Sequence, residues 1–235
     1  MDEEPYIRAL FSSGHLWTIA VDAAIRAQVS RINLPHAPTA ETTVAIIMAA
    51  VAAEAFINEL PQLILAHDKY GPHPRTVTDT TWRAIAASIE QLETDHVQVT
   101  GKYLIASVLL PGEPLQRDEQ TFADFSKLIT IRNNLVHLKV QVESNYPGAA
   151  KQKTFLNDFK NRRWTNPPLE DGGTAIGWLK QIQTPQVARW ACRSSANIIW
   201  DTFQRLESLP EPVRKIYEGF EDQWRTCVNN PLIQE

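Results

Sequence analysis

Apolar residues recur along most of this chain at three-, four- and seven-residue steps, the period of helices that bury one face. The clearest stretch is residues 119–140, EQTFADFSKLITIRNNLVHLKV, where Phe122, Phe125, Leu128, Ile129, Leu135 and Val136 fall on that period. Asp118 is the expected N-cap of this helix. Upstream, residues 6–32 predict a long first helix, with Gly14 as a point of kinking or splitting. A second helix starts near residue 40, with Thr39 or Thr42 as cap and Glu41 favourable in its first turn. It continues to about residue 67, and Pro61 predicts a kink or break within it. Residues 80–94 read as an amphipathic helix through Trp82, Ile85, Ala86, Ile89 and Leu92, and residues 101–109 as a shorter one.

After residue 140 the period is lost. Pro and Gly clusters punctuate residues 143–174, which read as an irregular excursion. Thr184 and Pro185 then open another helix, as cap and first position, that runs to about residue 209. Residues 210–235 are expected to hold a final helix, from 213 to about 227, and a tail. No strand pattern stands out, so the expected class is all-α, in a single domain covering residues 1–235.

Composition narrows the function. Lys and Arg total 23 against 27 Asp and Glu, a net charge of −4, so the chain is not built as a general nucleic-acid coat. Its two cysteines, Cys192 and Cys227, make neither a metal pattern nor a disulfide framework. The most apolar run, residues 44–65, is interrupted by Glu54, Asn58, Glu59, Pro61 and Gln62, and reads as a core helix rather than a membrane span. With an acidic start and no signal-peptide pattern, a cytoplasmic protein is expected. No Gly-rich phosphate loop, zinc spacing or nucleophile elbow is present, and no cofactor or metal is expected.

The candidate chemistry sits inside the apolar period of residues 119–140. Asn133 and His137 lie one turn apart on one side of the helix. Arg132 is separated from His137 by roughly 7.5 Å along the axis and about 140° around it, a gap the long Arg side chain spans towards a phosphate in front of the His. Two consecutive Asn residues, 133 and 134, are poor choices for a purely structural helix. The bland alternative is a hydrogen-bonded boundary histidine and a structural arginine ion pair.

Arg132, four residues, His137, with Asn133 after the Arg and Leu135-Val136 before the His, resembles the signature of the HEPN superfamily. The run FSKLITIRNNLVH extends the likeness on both sides of the Arg, and AAVAAEAFINEL, residues 49–60, resembles the family's earlier core helix. The likeness covers roughly residues 40–209. It implies an HEPN-like helical bundle with an irregular insertion after the motif helix. It also implies a metal-independent endoribonuclease, an effector of a toxin–antitoxin or anti-phage defence system. Arg132, Asn133 and His137 then occupy the catalytic positions. A histidine can take the 2′-OH proton or protonate the leaving oxygen, and a guanidinium can stabilise phosphate charge. In the family two motif helices meet, and this chain has a single motif, so the resemblance implies a homodimer or a partnered assembly with an antitoxin or defence protein. Family toxins paired with nucleotidyltransferases carry a Tyr two residues beyond the His; here Lys139 stands there. Some members have lost catalysis, so a non-catalytic module for dimerisation or protein docking is the alternative.

Two further groups are candidates. Glu54 and Asn58, one turn apart, are either a hydrogen-bonded pair at the core edge or the lining of a cleft shared with Arg132. Lys151, Lys153, Lys160, Arg162 and Arg163, interleaved with Phe155, Phe159 and Trp164, suit single-stranded RNA. The competing expectation is a short amphipathic helix that packs the two Phe side chains inward.

Overall fold

The computed structural model describes residues 12–33, 38–70, 80–136, 148–167 and 177–206. They form α1 (Ser12–Asn33), α2 (Ala40–Tyr70), α3 (Thr80–Thr94), α4 (Val99–Leu109), α5 (Gln120–Val136), α6 (Gly148–Asn161), α7 (Gly177–Ile182) and α8 (Pro185–Gln204). Among the described residues there is no strand, and the fold is all-α.

The centre is α2. Ala45, Ala49, Ala50, Ala52 and Ala53 are fully buried and let neighbouring backbones come close around Ile46, Phe56, Ile57 and Leu60. α1 packs along it most extensively, followed by α8, α3 and α5. By length and composition residues Ala40–Ile64 are apolar enough to cross a membrane. About 50% of that window is buried inside the fold, including Ile46, Phe56, Ile57 and Leu60, while Val44 is exposed. Of the kink or break expected at Pro61, the break does not occur, because α2 runs through it to Tyr70. Proline removes one helical hydrogen bond, and the apolar residues around it, Leu60, Leu63 and Ile64, are buried.

α2 also ties down the first described turn of α1. The Glu59 carboxylate accepts from the Ser12 and Ser13 amides at 2.8 and 3.2 Å, and from the Ser13 hydroxyl at 2.6 Å. An anion placed there satisfies the otherwise unpaired first-turn donors. Gly14 falls in the first described turn of α1, which is unbroken from Ser12 to Asn33. Residues 6–11 of that expected helix lie outside the described residues. At the other end of the bundle the Thr184 hydroxyl accepts from the Val187 amide at 3.3 Å, with Pro185 next, the cap that the sequence predicts. Thr42 donates to the Thr184 carbonyl at 3.2 Å, which ties the start of α2 to the start of α8.

Two expectations are corrected. α5 opens at Gln120, with the Ala123 amide donating to the Glu119 carbonyl at 2.9 Å, so Asp118 stands ahead of the cap position. Residues 143–174 are not irregular throughout, since α6 occupies Gly148–Asn161 within them. Its apolar residues are the reason. Phe155 and Phe159 are buried and meet Trp178 and Trp190 edge-on, at ring separations of 5.5 and 4.9 Å. The inward-packing alternative holds for both Phe residues. The expected helix within residues 210–235 lies outside the described residues.

α3 and α6 end alike. The His96 amide donates to the Glu93 carbonyl and the Val97 amide to the Leu92 carbonyl, each at 3.0 Å. Arg163 and Trp164 repeat this with Lys160 and Phe159, each at 2.9 Å. This is the Schellman arrangement, whose left-handed residue is usually glycine. Here it is His96, with φ 54°, and Arg163, with φ 58°.

Candidate functional site

α5 lies across α2, α4 and α8, and most of its apolar face is buried as expected: Phe122, Phe125, Leu128, Ile129 and Leu135. Val136 departs from that set and is exposed. Tyr103 of α4 anchors this corner. Its hydroxyl donates to the Ala53 carbonyl of α2 at 2.8 Å, and its ring meets Phe125 edge-on at 4.8 Å. Burial holds the Tyr103 hydroxyl well above its ordinary pKa, and the Glu59 charge adds to that. It acts as a structural donor.

This packing places the next residues of each helix around a polar cleft of about 300 Å³. Glu54 comes from α2, Glu93 and His96 from the end of α3, Lys102 from α4, and Arg132 and Asn133 from α5. Val97, Val99 and Ile129 supply apolar wall.

Arg132 is mostly buried, and its Nη2 donates to the Glu54 carboxylate in an ion pair. Its Nε is enclosed without a hydrogen-bond partner among the described residues. Asn133 is exposed at the cleft. Glu54 therefore does line a cleft shared with Arg132, while Asn58, one turn on, bonds elsewhere: its Oδ1 accepts from Lys102 Nζ at 2.8 Å. His137 lies outside the described residues.

Lys102 is the residue that reading the sequence missed. Only 5% of it is exposed, yet its ammonium reaches the cleft, held by Asn58 and by an ion pair with Glu93. Burial lowers its pKa from the ordinary lysine value, and the Glu54 charge offsets part of that. A signal was present: α4 reads VTGKYLIASVL, in which Lys102 is the single charged residue of an otherwise apolar helix. His96 and Glu93 were missed because helix periodicity says nothing about where a helix end points.

The basic candidates on α6 separate. Lys160 and Arg163 are exposed. Arg162 Nε donates to the Asp158 carboxylate at 3.3 Å, and its guanidinium lies over the Trp164 ring at 5.0 Å. Asp158 also pairs with Lys127 of α5. Lys151 and Lys153 belong to α6, but their side chains lie outside the described residues. No group of three or more His, Cys, Asp or Glu gathers among the described residues.

Comparison with family models, curated proteins and solved structures gave no match to this chain. What the cleft can do is therefore decided by its own side chains. Two cationic groups, Arg132 paired with Glu54 and Lys102 held by Asn58 and Glu93, face a small polar space.

Proposed function

We propose that this chain is a metal-independent endoribonuclease of HEPN type, an effector of a toxin–antitoxin or defence system. The observation that carries the reading is the placement of Arg132 and Asn133, consecutive on α5, in one polar cleft with the Lys102 ammonium. A guanidinium held by Glu54 is oriented in advance for a phosphate whose negative charge grows in the transition state. Arg132 binds that phosphate, and Asn133 orients it or the imidazole. His137 takes the 2′-OH proton or protonates the departing 5′-oxygen. The 2′-oxygen bonds to phosphorus as the bond to the 5′-oxygen breaks, which leaves a 2′,3′-cyclic phosphate and a 5′-hydroxyl. The second proton transfer comes from His137 of a second copy, so the working form is a homodimer.

Total RNA incubated with the purified chain and a chelator tests this. Cleavage to those ends, lost by about 10²–10⁴-fold in His137→Ala and Arg132→Ala, is the expected result, with a dimer in sedimentation. A folded wild-type chain with no activity on RNA, or an unimpaired His137→Ala, overturns it.

The second reading, a non-catalytic module for dimerisation or docking, is favoured by two observations. Glu54 already occupies one face of the Arg132 guanidinium, and Val136 is 55% exposed at the end of α5.

A further inference from the structure

The Lys102 side chain is built differently from a surface lysine. Its stem is buried, and its Nζ is anchored by Asn58 Oδ1 at 2.8 Å. Its other partner, Glu93, is 58% exposed and stands at the rim, on the last turn of α3. The two carboxylates of the cleft therefore differ in kind. Glu54 pairs with Arg132 from within the long α2. Glu93 hydrates at little cost when it turns outward, because most of it already meets water.

Three further features of the same cleft favour an incoming anion. Arg132 Nε is enclosed without an acceptor among the described residues, and a buried donor left unpaired is destabilising. Gln98, the N-cap of α4, makes no side-chain cap bond, and it lines the cleft with Val97 and Val99. The positive end of the α4 dipole thus adds to Lys102 and Arg132. The cleft, about 300 Å³ in volume, is at the small end of ligand cavities and has room for a phosphate.

We infer that Lys102 and Arg132 form a two-cation seat for one nucleotide phosphate, and that Glu93 occupies that seat until the phosphate displaces it. The inference deepens the ribonuclease reading, on which the choice of a nucleotide rests. Lys102 is a binding residue that the Arg-x4-His motif does not contain. Glu93 is a built-in competitor that raises the threshold for weak anions and releases for a doubly held phosphate.

The test reads binding rather than cleavage. Inorganic phosphate, a 5′-mononucleotide and an uncleavable 2′-O-methyl oligonucleotide are titrated separately into the full chain, followed by calorimetry and by amide shifts at residues 93–102 and 132–133. Wild type is expected to bind the mononucleotide or the oligonucleotide. Lys102→Met loses at least about tenfold in affinity, and Glu93→Gln gains several-fold. Binding of the mononucleotide alone assigns the source to free nucleotide, and binding of the oligonucleotide assigns it to a strand. Lys102→Met at wild-type affinity, Glu93→Gln binding no tighter, or no binding of any probe overturns the inference. Glu93 is exposed, so its variant keeps the test alive if Lys102→Met fails to fold. A chain that binds in this manner but never cleaves RNA sinks the ribonuclease reading alone. One that cleaves RNA with Lys102→Met at full rate and affinity sinks this inference alone.

Discussion

Arg132 on α5 donates through Nη2 to the Glu54 carboxylate on α2, 78 positions earlier in the chain. The pair is partly buried, with side-chain exposures of 18% and 39%. It therefore lies between a surface ion pair and a core one. A double-mutant cycle of Arg132→Gln and Glu54→Gln, followed by urea unfolding, is expected to give a coupling on the order of 1 kcal/mol. A coupling of zero would mean that the two helices are positioned by Phe125, Leu128 and Ile129 alone.

Lys102 gives a pH signature. Its pKa is lowered from the ordinary 10.5 because burial of the charge outweighs the return from Glu54. The folded state thus holds this proton less tightly than the unfolded one. Stability is gained as pH rises from the lowered value towards 10.5 and is lost as pH falls back through the lowered value. Lys102→Met removes the buried charge and keeps the stem volume. The variant is expected to match or exceed wild-type stability at pH 7, with its advantage shrinking as pH approaches 10.5. Chemical unfolding of both proteins across that range checks it, and an advantage that widens with pH refutes it.

Much of this arrangement was legible in the sequence. Phe122, Phe125, Leu128, Ile129 and Leu135 of α5 are buried as its apolar period predicted, while fully buried Ile131 was not in that set and Val136 is exposed; Thr184-Pro185 marked the start of α8. α6 was half visible. Its Phe155 and Phe159 have helical spacing, but Pro and Gly on both sides hid the element between them. Whether Pro61 would end α2 was not legible, because local propensity cannot weigh the buried surface on both sides of it. The cleft was the least legible part. Arg132 and Asn133 stand together in the sequence, whereas Glu93, His96 and Lys102 reach them only through the turn between α3 and α4. That turn is set by two backbone hydrogen bonds and a left-handed histidine where glycine is the usual signal.

Asp158 predicts behaviour in acid. Burial pushes its carboxyl up, but the hydrogen bond and charge of Lys127, with those of Arg162, outweigh it and hold the pKa below the ordinary 3.8. The folded state holds this proton less tightly, so the stabilisation is present above 3.8 and is lost as pH falls through the lowered value. Asp158→Asn is expected to be less stable than wild type at pH 6, with the difference closing below 3.8. Thermal melts at several pH values measure it, and a constant difference would show that Asp158 contributes through shape rather than charge.

Charge and packing separate on α6. Phe159 is fully buried against Trp190, so Phe159→Ala is expected to cost about 3–5 kcal/mol. Arg162 is no free cation either, since Asp158 and the Trp164 ring both engage it, and its reversal would disturb the fold. Lys160 and Arg163 are exposed and can be reversed to Glu without touching the core. If α6 guides RNA towards the cleft, the Lys160→Glu/Arg163→Glu double variant binds a single-stranded oligonucleotide more weakly. The dependence of affinity on salt then falls by about one to two charges, while the unfolding midpoint stays in place. Affinity and salt slope both unchanged would leave these residues as a solvated helix face, with the cleft of Arg132 and Lys102 as the site where phosphate recognition is decided.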